Sequence, residues 1–163
     1  MTTRTFAPWV EPIAAQLGES RAEIARTARR FLPDLWTMPS PLPGWTYKDL
    51  LAHLAVGDWV CQSILQAVVA NKAADLSILN QLNERNEQYR RERAATSVEE
   101  LIAELEAEGE ETQELLSKLS DADEDRKQEG APMSLGQYLK DAFPGHDRDH
   151  LDQLRTAMDN VML

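Results

Sequence analysis

Four long segments of this chain carry apolar residues at helical spacing, and this periodicity constrains the fold more than any other feature of the sequence. The segments begin near Ser20, Trp45, Ser97 and Met133. Intervals of three and four residues place the apolar side chains on one face of each predicted helix. Glycine and strand-type alternation are both scarce. We therefore expect an all-α fold, a four-helix bundle with an additional short helix over 75–95.

The first predicted helix follows a stretch that the pattern leaves open. Residues 1–19 are expected to form an N-terminal arm or a short helix, within a single domain that spans 1–163. From Ser20 the apolar positions define the helix, and Pro33 is expected to kink or end it. Four arginines of this helix are expected to face outward: Arg21, Arg26, Arg29 and Arg30.

The second predicted helix begins with a strong local signal. Thr46 is placed as the N-cap, and Asp49 three residues later completes a pair of the capping-box type. The apolar face that follows runs to Val68, with His53 at its edge. Gly57 lies one turn after His53, and its small size leaves room for either a close helix contact or a ligand.

Capping signals also begin the last two long helices. Ser97 and Glu100 form a capping box, and the helix that follows has an apolar stripe opposite a face of almost only glutamates, which we interpret as a solvated surface. Ser134 and Gln137 repeat the signal. The apolar face of the last helix includes Ala142, and Pro144 is expected to bend this helix just before His146.

The three histidines of the chain form its most informative chemical pattern. His146 and His150 are one helical turn apart, which places both imidazoles on the same face. A buried imidazole must satisfy both ring nitrogens, and a divalent metal is a suitable partner for several of them. With His53 from a facing helix, the pair predicts a three-nitrogen metal site that keeps open coordination positions. Separate histidines, hydrogen-bonded to carbonyls or to nearby aspartates, are the alternative interpretation.

One segment also resembles a known family. Residues 40–55 read SPLPGWTYKDLLAHLA, which is similar to the PGW-(S/T)-x-KD-x-LAHLA segment of the DinB/YfiT-like superfamily, and His146 and His150 match that superfamily's second motif. The resemblance implies a four-helix bundle, often dimeric, that holds a metal through the positions of His53, His146 and His150. The LPGWT wording further resembles the mycothiol-dependent isomerase and transferase branch. Part of that branch has a glutamate in place of His146.

The resemblance and the histidines together predict a divalent-metal-dependent enzyme. We expect zinc or nickel as the cofactor and a reaction in which the metal activates a low-molecular-weight thiol, mycothiol or similar, for transfer to a small electrophile or for an isomerisation. The alternatives are a metal-dependent hydrolase and a non-catalytic, metal-stabilised bundle that acts as a binding or stress-associated protein.

Further candidates for the site are polar side chains near the histidines. The candidate catalytic groups are three carboxylates: Asp58, Asp147 and Asp149. Asn83 and Asn86 are candidates for the mouth of the pocket, with a solvated helix face as the alternative. We interpret Cys61 as a core residue. The arginines at 90, 91 and 93 either receive an anionic substrate or balance nearby glutamates.

The charge and cysteine content restrict partners and location. Lys and Arg total 17 against 28 Asp and Glu, so the net charge is −11. This charge repels phosphate backbones and anionic lipids, so we expect a small-molecule substrate and neither nucleic acid nor a membrane as a partner. A single cysteine and an N-terminus unlike a signal peptide favour the cytoplasm. Trp36, Trp45 and Trp59 near helix ends would allow a homodimer through an aromatic patch.

Overall fold

A computed structural model of the protein describes residues 4–141 and 143–161. These residues form helices and connecting turns, with no strand beyond an isolated bridge between Pro39 and Thr46. Three short 3-10 turns occur at Pro33–Thr37, Leu76–Gln81 and Asp121–Asp123. The α-helices, in chain order, are α1 Glu11–Arg30, α2 Tyr47–Val56, α3 Trp59–Val69, α4 Leu82–Glu92, α5 Val98–Ser117, α6 Leu135–Asp141 and α7 Phe143–Val161.

Helices α1, α2, α5 and α7 form the bundle. Helix α1 packs against α5 and α7, and α2 packs against the same two helices. Helix α3 follows α2 in the chain and also packs against α5, and α6 contacts α7. Helix α4 is the additional helix and packs against α2. The prediction of an all-α four-helix bundle with a further short helix is confirmed. No helix within the described residues is long and apolar enough to cross a membrane.

The core has two apolar halves with a polar layer between them. One half contains Leu54 and Leu105, and the other contains Leu65 and Leu116. Each fully buried side chain of this kind contributes about 1.5–3 kcal/mol by leaving water. Between the halves, at core positions of α1, α5 and α7, lie four buried polar residues: Arg21, Glu108, Thr112 and Asp147.

Two predictions about α1 are corrected by the structure. The helix begins at Glu11 and runs through Gly18, because Pro12 occupies a first-turn position where its missing N–H costs nothing. Arg21 does not face outward: only 5% of it is exposed. It lies one turn from Leu17 on the buried face, where carboxylates from two other helices receive its charge.

The predicted second helix is two helices, because the chain breaks at Gly57. This glycine has a φ of +73°, which ends α2, and Asp58 starts α3 by accepting a hydrogen bond from the Cys61 N–H at 2.9 Å. The capping box of Thr46 and Asp49 is confirmed at the start of α2.

The later helix starts also follow the sequence signals. Ser97 and Glu100 form their capping box, and the Ser134 hydroxyl accepts from the Gln137 N–H at 3.3 Å. Pro144 directly follows the first residue of α7, where helices tolerate proline. Ala142, which was predicted on the apolar face and near the expected bend, lies outside the described residues.

Candidate metal centre

The bundle brings the three histidines together. His53 lies in the last turn of α2, and His146 and His150 lie one turn apart near the start of α7, which packs on α2. The Nε2 atoms of His53 and His146 are 2.9 Å apart, and one ligand atom from each of the three imidazoles lies within 4.8 Å of the others. All three side chains are partly buried.

Hydrogen bonds orient two of these rings toward the shared centre. The Nδ1 of His146 lies 3.3 Å from the Asp147 carboxylate, and the Nδ1 of His150 lies 2.9 Å from the amide oxygen of Gln153. Both oxygens only accept hydrogen bonds, so each Nδ1 carries the proton. The Nε2 atom of each ring therefore presents a lone pair, which is the form that a metal binds.

The electrostatics of the site also fit a cation. Burial, with the neighbouring His146 and His150 acting in the same direction, lowers the pKa of His53 to about 3. Burial likewise lowers the pKa of His150. Because neither ring holds a second proton at neutral pH, a metal need not displace one. Two nitrogens bound to one tetrahedral zinc ion at about 2.0–2.1 Å lie about 3.3 Å apart, and the Nε2 atoms of His53 and His146, at 2.9 Å, are within about half an ångström of this spacing.

Behind the histidines, the polar layer holds Asp147 in place. The Nε of Arg21 donates to Asp147 Oδ2 at 2.7 Å, while the other carboxylate oxygen faces His146. Burial raises the pKa of the Asp147 carboxyl, but the hydrogen bond with His146 and the charge of Arg21 outweigh burial and lower it. Asp147 thus stays ionised and links a helix α1 arginine to a candidate ligand.

Glu108 is the second carboxylate on Arg21, and it lies on the buried side of α5, opposite the glutamate face that we interpret as solvated. Only 9% of Glu108 is exposed, and it pairs with Arg21 and accepts a hydrogen bond from Thr112 at 2.8 Å. Burial raises its pKa despite these partners. A Cβ at position 57 would overlap the Glu108 carboxylate, so Gly57 permits this close contact between α5 and the end of α2.

A cavity of about 640 Å³ opens over the histidines, and we call it the main cavity. Asn83 and Asn86, the candidates for its mouth, line it, and Asn86 accepts a hydrogen bond from the Trp59 indole N–H at 3.0 Å. Trp45 stands with its ring edge toward His53, 5.6 Å between centroids. Tyr138 also lines the cavity, and the sequence pattern did not single it out as a site residue. Burial raises the pKa of its phenol, so the hydroxyl keeps its proton.

The structure separates the remaining candidates. Asp58 lines the main cavity while it caps α3, whereas Asp147 is buried on Arg21. Asp149 is exposed, and among the described residues it does not join the cluster of the three histidines. Cys61 is fully buried, as expected of a core residue, and burial raises the pKa of its thiol.

The arginines after Tyr89 fit the charge-balancing alternative. Arg90 and Arg91 pair with Glu87, and the Arg93 guanidinium lies 2.7 Å from Glu104. Their charges are therefore taken up by glutamates on the protein surface. This local pairing is the arrangement that we expect for side chains that balance charge.

Sequence signals for the polar layer exist, although our interpretation did not use them. Arg21, Glu108 and Asp147 each lie three or four residues from buried apolar residues of the same helix. Charged residues at such positions indicate either a solvated edge of the stripe or a buried ion pair. The presence of both signs of charge in different helices favours the second interpretation.

A solved structure has the same fold. The crystal structure of the colibactin self-resistance protein ClbS in complex with double-stranded DNA matches 91% of this chain and 94% of its own chain, with a TM-score of 0.72 and 12% sequence identity. This likeness shows the fold. It also contradicts the prediction that excluded nucleic acid as a partner, because a protein of this fold was solved with DNA. Net charge alone does not support that exclusion.

Comparison at the level of sequence places the chain in a family. No curated protein matches it significantly. The family model for the mycothiol maleylpyruvate isomerase N-terminal domain matches residues 17–156, which include all three histidines and the polar layer. The resemblance in residues 40–55 to DinB/YfiT-like proteins is thereby confirmed. This chain belongs to the mycothiol maleylpyruvate isomerase N-terminal domain family, a DinB/YfiT-like family of helical proteins.

Proposed function

We propose that this protein is a metal-dependent enzyme that transfers a low-molecular-weight thiol, mycothiol or a similar compound, to a small electrophile. His53, His146 and His150 hold the metal, which is zinc or nickel. A divalent ion held there supplies Lewis acidity and lowers the pKa of a thiol or water bound to it. The family supports the choice of thiol, because its name refers to a mycothiol maleylpyruvate isomerase.

One observation carries the proposal: three imidazoles, two with their tautomers set by hydrogen bonds, meet at the floor of a cavity large enough for a small molecule. A purely structural metal site is closed by four protein ligands, whereas three protein ligands leave positions for reactants. Among the described residues, no histidine, cysteine or carboxylate joins the three histidines as a fourth possible ligand. The open side faces the main cavity, whose wall includes His53, His146 and His150.

The reaction requires residues that receive a proton and place the electrophile. A carbon–sulfur bond forms, the bond to the leaving group breaks, and the thiol proton goes to a base. Asp58 is the carboxylate in the wall of the main cavity that is not paired with an arginine, so it is our candidate acceptor. Tyr138 keeps its proton and can donate a hydrogen bond to the leaving group, while Trp45 and Trp59 provide flat apolar surfaces.

Metal content is the first test. Protein purified without a histidine tag, loaded with zinc or nickel and desalted, should retain about one ion per chain by elemental analysis. His150→Ala should lose it, whereas Asp149→Asn, an exposed change on the same helix, should not. Less than about a tenth of an ion per chain in the wild type would refute the site.

Activity is the second test. Wild type and His150→Ala are incubated with 1-chloro-2,4-dinitrobenzene and cysteine, N-acetylcysteine, glutathione or mycothiol. We expect metal-dependent conjugation with at least one thiol in the wild type and background rates in the variant. Equal rates in both proteins, despite bound metal, would refute thiol transfer and support a non-catalytic, metal-stabilised bundle.

A further inference from the structure

A second cavity of about 210 Å³, which we call the side cavity, adjoins the main cavity. It lies between α3, the 3-10 turn Leu76–Gln81, and the loop that leads into α6. Its walls are almost wholly apolar, and six of the side chains that form them are Ile64, Leu76, Leu79, Pro132, Met133 and Leu135. None of the three histidines lines it.

Two side chains are shared by both cavities. Leu79 and Tyr138 line the main cavity on one side and the side cavity on the other. Leu79 is 47% exposed, so it is held less tightly than a core residue. A molecule with its reactive group beside the histidines can therefore extend past these two residues into the side cavity.

Three residues of the side cavity have polar side-chain groups, Gln128, Ser134 and Tyr138, and among them Gln128 has a buried donor without a partner. The amide oxygen of Gln128 accepts a hydrogen bond from the Ala74 N–H at 3.0 Å, which sets the orientation of the amide. Its nitrogen, Nε2, is buried and has no acceptor among the residues that the structure describes. Because a buried donor without a partner costs about 1–3 kcal/mol, a ligand that brings an acceptor to this atom gains binding energy.

We propose that the side cavity is a specificity pocket for an aromatic ring that carries a carbonyl or another hydrogen-bond acceptor. The volume supports a ring-sized group, because a dry cavity of about 150 Å³ lined by similar side chains already binds benzene. The apolar walls exclude charged groups, and Gln128 Nε2 selects an acceptor. The inference rests on the proposed function for the reactive end of the substrate, but binding in the pocket itself needs no metal.

The first test measures binding alone, on EDTA-treated protein. The probes are 4-fluoroacetophenone and fluorobenzene, followed by 19F NMR titration. We expect both to bind, the ketone about tenfold more tightly because of one added hydrogen bond. Nuclear Overhauser contacts from the ring protons to the Met133 methyl group should locate the bound ring. Contacts only to residues of the main cavity would overturn the proposal.

Two variants test the pocket further. Ala131→Phe places a ring in the side cavity and should weaken both probes at least about tenfold, whereas Ala73→Phe, an exposed change outside both cavities, should not. Gln128→Glu keeps an acceptor for the Ala74 N–H but removes the donors, so it should abolish the preference for the ketone. An unchanged preference in this variant would overturn the role of Gln128. Circular dichroism checks that each variant is folded.

Failure of this inference differs from failure of the proposed function. If conjugation is found, 4-acetylbenzyl chloride should react faster than methyl iodide relative to the uncatalysed rates, and Ala131→Phe should remove that advantage while the methyl rate is kept. Conjugation without any ring preference would refute the pocket and leave thiol transfer standing. Ring binding without conjugation would support the pocket and refute the transferase.

Discussion

Replacing Asp147 with asparagine tests how much the polar layer contributes to the metal centre. The change keeps the size of a side chain that is only 1% exposed and removes its charge. In the wild type, the two carboxylate oxygens accept from the Nδ1 of His146 and from the Nε of Arg21. An asparagine offers one oxygen and one NH2 group, so one of these two donors must face another donor.

The magnitude follows from what each partner loses. Removing the carboxylate that orients a metal-ligating histidine typically costs 10–100-fold in metal affinity, which is about 1.4–2.7 kcal/mol. Arg21 keeps its pair with Glu108, so its charge is not left alone. We therefore expect the free energy of unfolding of the metal-free protein to fall by about 1–3 kcal/mol, less than the roughly 3–5 kcal/mol for breaking a buried pair.

The assay is a zinc titration in competition with a chelator of known affinity, combined with chemical denaturation of the metal-free protein. Asp149→Asn is the matched control, because Asp149 is exposed on the same helix two residues away. The expected result is a loss of zinc affinity in Asp147→Asn alone. Affinities within about twofold of each other for both variants would refute the claim that Asp147 orients His146.

Three further predictions concern the same region. Gly57→Ala should destabilise the protein by about 3 kcal/mol or more, from backbone strain and displacement of Glu108. Gly130→Ala is the control, because Gly130 has a similar φ of +78° but open space around it, so this change should cost only the strain. Equal losses of stability in denaturant melts would argue against the contact between Gly57 and Glu108. The pKa of His53 is about 3 in the folded protein and 6.5 in the unfolded chain, so between these values the unfolded chain binds one more proton. The stability of the metal-free protein should therefore fall as the pH drops from 6.5 toward 3, by up to about 1.4 kcal/mol per pH unit. His53→Gln should flatten this slope, and an unchanged slope would contradict the lowered pKa of His53. Cys61 should react with N-ethylmaleimide only after unfolding, since burial raises its pKa, and rapid labelling of the folded protein would show that α3 opens.

The capped starts of α2 and α5 and the histidine pair could be predicted because they depend on short stretches of chain. A capping box such as Thr46 with Asp49 needs only four consecutive residues, and the structure contains it. The spacing of His146 and His150 likewise sets their common face in any helix. The placement of His53 opposite them also agreed with the prediction, through the resemblance of residues 40–55 to a family with this bundle.

The buried charges could not be read from one helix at a time. Arg21 lies on the apolar stripe of α1, and the pattern alone does not say whether a neighbouring helix covers that position or water does. The exclusion of nucleic acid from the net charge of −11 failed for a related reason. Binding depends on the charges of one surface, and a sum over the chain contains no information about where they lie. The homodimer and the cytoplasmic location remain predictions.

The sequence by itself determined the all-α class, the capping boxes of α2 and α5, the three candidate ligands and the family. Only the tertiary structure decided that Arg21, Glu108 and Asp147 form one buried layer beneath the histidines, that Gly57 is needed for the contact with Glu108, and that an apolar side cavity lies beyond Tyr138. The physical reason is distance along the chain. Helix formation and capping are settled among near neighbours, whereas a buried ion pair across three helices exists only once their packing has removed the water between them.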